Sequence, residues 1–189
     1  MKNINKYITE YIVKKKLDTP IDSDDHYEYF PETKEELIDN IKELLDENET
    51  NINCIDTSKI TDMSDLFYNS KFETINIDVS NWDVSNVKDM SNMFYGCKKF
   101  EGKGLENWNV SNVTNMSHMF YYCKNFDCDL SNWNVSNANN MASMFYGCSK
   151  FKGKGLEKWN VNNKAKISSM FVGCNLIKKQ PDWYIKLNK

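Results

Sequence analysis

Apolar and polar positions follow a long period over most of this chain. Five tryptophans mark it at intervals of 26, 25, 26 and 24 residues: Trp82, Trp108, Trp133, Trp159 and Trp183. Three units align closely, namely WDVSNVKDMSNMFYGC, WNVSNVTNMSHMFYYC and WNVSNANNMASMFYGC, and a degenerate copy precedes them from Ile55. A period in this range is typical of stacked repeats, in which each unit packs only against its neighbours.

Each unit combines two shorter hydrophobic patterns. In the unit of Trp108, residues 105–110 alternate around Trp108 and Val110, which predicts a strand. The spacing of Val113, Met116, Met119, Phe120 and Cys123 predicts a helix of about two turns. Asp or Asn stands at the predicted N-cap in four units: Asp62, Asp89, Asn115 and Asn140. Gly stands at the predicted C-terminal end in three, Asn69 takes that place in the first copy, and Tyr122 breaks the pattern: Gly96, Gly147 and Gly173.

A unit this small cannot bury its own apolar face, so the Trp, Val, Met, Phe and Cys columns should merge into one core. The strands should then pair into a parallel sheet. The sequence therefore predicts an α/β repeat solenoid over residues 53–189, with about five stacked strand–helix units of ~25 residues and a C-terminal tail.

Residues 1–52 differ from the repeats and predict two helices. The first spans 3–17, and an acidic, turn-rich loop follows over 18–29. The second begins with the capping-box pattern Thr33–Glu36 and continues as an apolar stripe: Leu37, Ile38, Ile41, Leu44 and Leu45. This segment is either an N-terminal cap on the solenoid or an adaptor that docks elsewhere.

Charge is divided unevenly along the chain. Residues 1–50 contain 7 Lys and 14 Asp or Glu, whereas the remainder has a net charge of +4. There is no Arg, the usual reader of guanine and phosphate, which argues against specific nucleic-acid recognition. No apolar run resembles a signal peptide or a membrane span, so a cytoplasmic site of synthesis is expected, with virion association or release by lysis as the alternative.

Candidate chemistry is sparse. Cys97, Cys123, Cys148 and Cys174 occupy one column, and helical units placed about 10 Å apart would keep these thiols buried and unpaired. The methionine pairs have the spacing of core side chains. His118 aligns with Asn92 and Ser143 at a position expected to be exposed. No catalytic motif, cofactor site or metal-ligand spacing occurs, so no enzyme activity, cofactor or metal is expected.

If Trp and Val point inward, their neighbours form two exposed polar columns: Asn81, Asp83, Asn107, Asn109, Asn132, Asn134, Lys158 and Asn160. One interpretation is a purely structural ladder of asparagines bonded from unit to unit. The other is a flat binding face on the sheet. A lysine cluster is a further candidate contact for an acidic partner, or a solubilising surface: Lys150, Lys152, Lys154, Lys164 and Lys166.

The three aligned units resemble the BspA-like leucine-rich-repeat family, in particular its branch in Mycoplasma surface proteins, gut Bacteroidetes and their phages. The resemblance covers roughly residues 55–184 and implies a right-handed solenoid used for adhesion or protein binding, without catalytic residues. No signal peptide, lipid-attachment Cys or wall-anchor motif is recognisable in the sequence, so we expect it to differ from the surface members of the family.

The sequence thus favours a non-enzymatic interaction module that binds a protein or glycan through its exposed sheet. The alternative is a structural or assembly component of a phage particle. An enzyme is the weakest interpretation, since no polar cluster interrupts the apolar columns.

Overall fold

A computed structural model describes residues 27–68 and 70–189. The predicted helix 3–17 and all but the end of the acidic loop lie outside this part of the chain. The described residues form helix α1 (Lys34–Asp46), helix α2 (Asp182–Leu187) and three short 3-10 helices, Ser70–Thr74, Leu105–Asn107 and Leu156–Lys158.

Helix α1 confirms the second predicted helix. The Thr33 hydroxyl accepts the backbone N–H of Glu36 at 3.2 Å, and the Glu36 carboxylate accepts the N–H of Thr33 at 3.2 Å. This reciprocal pair satisfies two of the N–H groups that a helix start leaves open. Leu37, Ile41 and Leu44 are buried.

Helix α1 is tied to the first repeat unit. The Lys34 ammonium donates to the Asp62 carboxylate at 3.2 Å and to the Ser64 hydroxyl. Tyr29, just before the helix, forms an isolated parallel bridge with Ile55. Residues 27–46 therefore lie beside the first unit, and whether residues 1–52 serve as a cap stays a prediction.

The predicted α/β solenoid of strand–helix units is wrong. Residues 27–68 and 70–189 contain no strand and no sheet, and their two α-helices both lie outside the aligned units. The units are joined instead by isolated parallel bridges that recur at one position of successive units: Asp62 with Asp89, Asp89 with Asn115, Asn115 with Asn140, and Asn140 with Lys166. A further bridge joins Asn51 to Asp78. Most of each unit is turn and irregular chain.

Backbone N–H groups explain why the helical spacing does not produce a helix. In the segment from Met90 to Cys97, every second N–H crosses to the next unit, for example Asn92 to the Ser117 carbonyl at 3.0 Å. The intervening N–H groups close tight local turns, for example Tyr95 to the Asn92 carbonyl at 2.9 Å. The segment is therefore a chain of turns, and half of its hydrogen bonds hold neighbouring units together.

A left-handed residue interrupts each of these turn segments. The residues concerned have φ between 55° and 59°: Asp65, Asn92, His118, Ser143 and Ser169. A right-handed helix excludes this conformation, which costs an L-residue about 1–2 kcal/mol. The predicted terminating glycines do adopt positive φ, and so does Tyr122, at 58°.

The predicted N-caps have a different role. Asp89, Asn115 and Asn140 are the bridging residues, and each side chain also accepts the N–H two residues further on. These are Asx turns, which Asp and Asn form readily because their oxygens reach the local backbone. The cap-like bond is present without a helix after it.

The core confirms the predicted columns. The Trp, Met, Phe and Cys positions of the aligned units are buried, and the Phe rings stack from unit to unit. Centroids lie 5.2 Å apart from Phe67 to Phe94, and 5.7 Å from Phe94 to Phe120. The predicted ~10 Å spacing between units is therefore wrong, because main-chain hydrogen bonds draw them to roughly the 4.8 Å separation of paired strands.

Each buried tryptophan also joins two units. The Trp108 indole N–H donates to the Val79 carbonyl at 3.2 Å, and Trp133 donates to Leu105 at 2.7 Å. A buried indole N–H needs such a partner. The tryptophan column thus combines apolar burial with a hydrogen bond to the preceding unit.

Candidate binding surfaces

All eight residues of the predicted polar columns are exposed. They alternate with buried Trp and Val in the units of Trp82, Trp108 and Trp133, whereas Val161 beside Trp159 is half-buried, and no strand produces the alternation. We call this surface the asparagine face: Asn81, Asp83, Asn107, Asn109, Asn132, Asn134, Lys158 and Asn160.

The column after the tryptophans is locally ordered. The Asn109 Oδ1 accepts the Ser111 hydroxyl at 2.7 Å, and the Asn134 Oδ1 accepts the Ser136 N–H at 3.2 Å. Within residues 27–68 and 70–189, no group accepts a hydrogen bond from the Nδ2 of Asn109 or of Asn134. Both amides are therefore held by one end and offer their donors outward.

The column before the tryptophans is less regular. The Asn132 Nδ2 makes a long contact of 3.5 Å with the Glu106 carbonyl, whereas the Asn81 backbone N–H donates to Asn53 at 2.8 Å. Asn107 and Lys158 end the 3-10 helices. These four side chains do not repeat one geometry.

The inter-unit asparagine ladder lies in a column that the sequence analysis missed. The Nδ2 groups of Asn86, Asn112 and Asn137 donate to carbonyls of the preceding unit at 2.7–2.8 Å, namely those of Ser58, Ser85 and Ser111. The sequence feature that could have predicted this ladder is the Asn of the Ser-Asn dipeptide, which occurs in every aligned unit. The structural role foreseen for the asparagine face is therefore carried by its neighbours.

A ladder of partly exposed tyrosines was also missed. Ring centroids lie 4.7 Å apart from Tyr68 to Tyr95, 4.6 Å from Tyr95 to Tyr121 and 4.8 Å from Tyr121 to Tyr146. Burial is the main cause that raises the pKa of Tyr95 and Tyr121. The signal was the repeated Phe-Tyr dipeptide, whose first ring is buried and whose second is not.

Two overlapping stretches of the chain, residues 35–101 and 69–184, match the family described as Mycoplasma protein of unknown function, DUF285. Together they cover well over half of the sequence. The chain belongs to this family. No curated protein and no solved structure matches it.

The thiol column of the DUF285 protein is confirmed as free and buried. Each Sγ contacts a carbonyl of the preceding unit, for example Cys123 with Phe94 at 2.9 Å. Burial raises the pKa of Cys97 and Cys174 to about 12, and that of Cys123 and Cys148 well above its ordinary value. Thiols in this state are poor nucleophiles at neutral pH.

The predicted lysine cluster is partly neutralised. The Lys154 ammonium lies 2.6 Å from the Asp129 carboxylate, and Lys152 pairs with Asp127. The hydrogen bond from Lys154 is the main cause that lowers the pKa of Asp129 to about 2. These acids line a surface depression of about 500 Å³ together with Glu101. Only part of the cluster thus remains available to an acidic partner.

Three further sequence predictions concern other chemistry. His118 is half-buried beside Tyr121, with ring centroids 5.4 Å apart, so its predicted exposure is only partial. In the described part of this DUF285 protein, no group of three or more His, Cys, Asp or Glu side chains is arranged to hold a metal ion. No helix there is long and apolar enough to cross a membrane.

Proposed function

We propose that this DUF285 protein is a non-enzymatic interaction module that binds a protein or a glycan through the asparagine face. The outward amide donors of Asn109 and Asn134 carry the proposal. Each is exposed and is fixed by its own Oδ1, and the two occupy equivalent positions in neighbouring units. Donors that are ordered before binding lose little conformational entropy when a partner's carbonyl or hydroxyl oxygen accepts them.

The geometry of the units supports this assignment further. The tyrosine rings of neighbouring units are about 5 Å apart, so the equivalent residues Asn109 and Asn134 follow each other at a short interval along the stack. Extended surfaces of stacked repeats commonly bind other macromolecules. The resemblance to BspA-like adhesion and protein-binding repeats points to the same function, although residues 27–68 and 70–189 of this protein contain no sheet.

The test compares two double variants of the full chain. Asn109→Ala with Asn134→Ala removes the outward donors, whereas Asn112→Ala with Asn137→Ala removes two of the three inter-unit ladder bonds. Crosslinked pull-down from native lysate with mass spectrometry, and a glycan array, measure binding, and a thermal melt measures stability.

We expect the face variant to lose its partner, and its melting temperature to fall by no more than that of the ladder variant, because its exposed Oδ1 bonds to Ser111 and Ser136 are lost together with the donors. The ladder variant should keep the partner but melt about 4–8 °C lower, since two hydrogen bonds of ~1 kcal/mol each are lost. A partner that binds both variants equally would remove the asparagine face from consideration. Recovery with virion proteins alone would favour a structural role in a particle.

A further inference from the structure

The last unit, which is the unit of Trp159, contains a row of backbone N–H groups that have no acceptor in the described part of the chain. In the preceding unit, the N–H groups of Met141, Ser143, Phe145 and Gly147 donate to carbonyls of the last unit at 2.7–3.1 Å. The equivalent groups of the last unit belong to Ile167, Ser169, Phe171 and Gly173. No residue in the described part of the chain accepts from them. We call these four N–H groups the terminal donor row.

The row retains the shape of an interior unit. Ser169 has φ 57° and Gly173 has φ 81°, which match Ser143 at 55° and Gly147 at 74°. The alternate N–H groups still close their local turns, such as Val172 to the Ser169 carbonyl at 3.3 Å. The terminal donor row is therefore already arranged as it is where a further unit follows.

Helix α2 packs on the core beside the row, but none of its residues accepts from the four N–H groups. Trp183 stacks on Trp159 with centroids 6.1 Å apart, and Tyr184 packs edge-on against Phe171 at 4.7 Å. Around them, Val172, Leu176 and Ile185 are 49%, 45% and 43% exposed, which makes three of the six large exposed apolar side chains in the described residues.

The positive charge around the terminal donor row favours an acidic binding partner. Residues 161–189 contain six lysines and one acid, Asp182: Lys164, Lys166, Lys178, Lys179, Lys186 and Lys189. A second copy that presented the same end would bring lysines against lysines and donors against donors. The opposite end of the stack lies against α1, through Lys34 and the buried stripe.

We propose that the terminal donor row binds an extended, acidic polypeptide segment of a partner protein, which continues the stack by one further strip of main chain. Carbonyls at alternate residues of that segment accept the four N–H groups, as the next unit does inside the molecule. Its apolar side chains cover Val172 and Leu176, and its flanking carboxylates face the lysines. Main-chain bonding of this kind gives affinity, while side-chain pockets and charge give specificity.

This surface is separate from the asparagine face. The variant Asn109→Ala with Asn134→Ala leaves the terminal donor row intact, so the two proposals can fail independently. A partner that the double variant no longer binds is assigned to the asparagine face. A partner that it still binds is a candidate for the terminal donor row.

The probe is a synthetic peptide with the sequence of residues 138–148, the strip whose carbonyls serve as acceptors inside the molecule, carrying Cys148→Ser. One version is flanked by two Asp residues at each end and a matched version by two Lys residues. Amide hydrogen exchange by NMR on the full chain is the readout. The acid-flanked peptide should protect Ile167, Ser169, Phe171 and Gly173, and leave Met170, Val172 and Cys174 unchanged.

Two variants control for the site. Val172→Asp should weaken binding of the acid-flanked peptide at least tenfold, whereas Thr61→Asp, an equally charged change at an exposed position in the first unit, should not. Binding should also weaken with added salt. The alternating protection pattern distinguishes main-chain docking from general adhesion to lysines, because only every second amide changes.

Four results would overturn the proposal. They are no protection of the four amides, equal binding of the two peptides, protection spread over consecutive amides, and protection that rises with protein concentration in the absence of peptide. The last result would assign the surface to self-association.

Discussion

Helix α1 and the turn segment of each unit have nearly the same apolar spacing but different backbones. In α1, Leu37, Ile41 and Leu44 are buried on one side of a regular helix. In the segment around Met116 and Phe120, equally spaced side chains are equally buried on a chain of turns. The spacing of apolar residues thus reports which side chains share a face, and it does not report where the N–H groups bond.

Two local features separate the regions. Helix α1 has a capping box, and no residue between Lys34 and Asp46 has positive φ. The turn segments place Asp, Asn, His or Ser at a left-handed position in the middle, and those of the later units place Gly or Tyr at another near the end. Since neighbouring units offer carbonyls at hydrogen-bonding distance, an N–H released by a left-handed residue finds a partner there.

The largest expected contrast comes from a buried charge in each region. Met119→Asp should destabilise the chain by more than about 4 kcal/mol, because the carboxylate has no partner in the apolar column. Leu37→Asp should release α1 while the stacked units remain. Far-UV circular dichroism and the rate of thiol labelling measure the two effects.

Thiol labelling decides the outcome. Met119→Asp should expose the column cysteines to the reagent, and Leu37→Asp should leave them protected while the helical signal falls. Near-wild-type stability of Met119→Asp would mean that the turn segment is not part of the core.

Alkaline pH should act on the units through their thiols, which α1 lacks. Burial raises the pKa of Cys97 to about 12, from about 9 in an unfolded chain. The unfolded thiol therefore loses its proton first, so the stabilisation is complete below pH 9 and is lost as pH rises toward 12. The free energy of unfolding should fall more steeply than in Cys97→Ala, by about 1.4 kcal/mol per pH unit within this window.

Urea titrations of both proteins at several pH values measure the difference. Tyrosines with raised pKa values, such as Tyr29 at about 12, add a fall of the same sign to both chains, and the comparison removes it. Parallel pH profiles of the two proteins would show that the thiol is not protected in the fold.

The smallest expected effect is a glycine substitution that should stabilise a turn segment but destabilise α1. Ser143 has φ 55°, so Ser143→Gly should relieve left-handed strain and stabilise the chain by up to about 1 kcal/mol. In α1, the exposed Glu43→Gly should destabilise by about 1 kcal/mol, as glycine does inside a helix. Thermal or urea unfolding measures both. If Ser143→Gly destabilised the chain as much as Glu43→Gly, the turn segment around Ser143 would be helical in solution.

The sequence predicted side-chain positions better than backbone structure. Alternation around Trp108 correctly placed Asn107 and Asn109 at the surface, because burial depends on which residues flank the apolar column. It predicted a strand wrongly, since a strand also requires a continuous ladder that the turn geometry does not provide. The positions of Asn92 and Ser143 contained the missing signal, because Asn and Ser tolerate turns and left-handed φ better than strong helix formers do.

For the candidate surface, too, the sequence predicted which side chains are exposed but not which hydrogen bonds they make. Exposure of the asparagine face followed from the pattern, but the free donor of Asn109 did not, because it depends on which oxygen accepts which N–H. The Asn112 ladder and the tyrosine stack depend on the short distance between units. A spacing of ~10 Å would have excluded both.

The glycine pairs of the longer units bear on how such a chain changes in length. Gly104 and Gly155 adopt φ 88°, and a Cβ on Gly104 would lie 2.1 Å from the Ser80 Cβ. This loop absorbs the one residue by which the longer units exceed the unit of Trp108. In evolutionary terms, gene duplication or loss of a whole unit preserves every contact between neighbours, and a single codon is gained or lost without damage at this loop. Within the turn segments, a one-codon change would exchange the N–H groups that cross between units for those that close local turns.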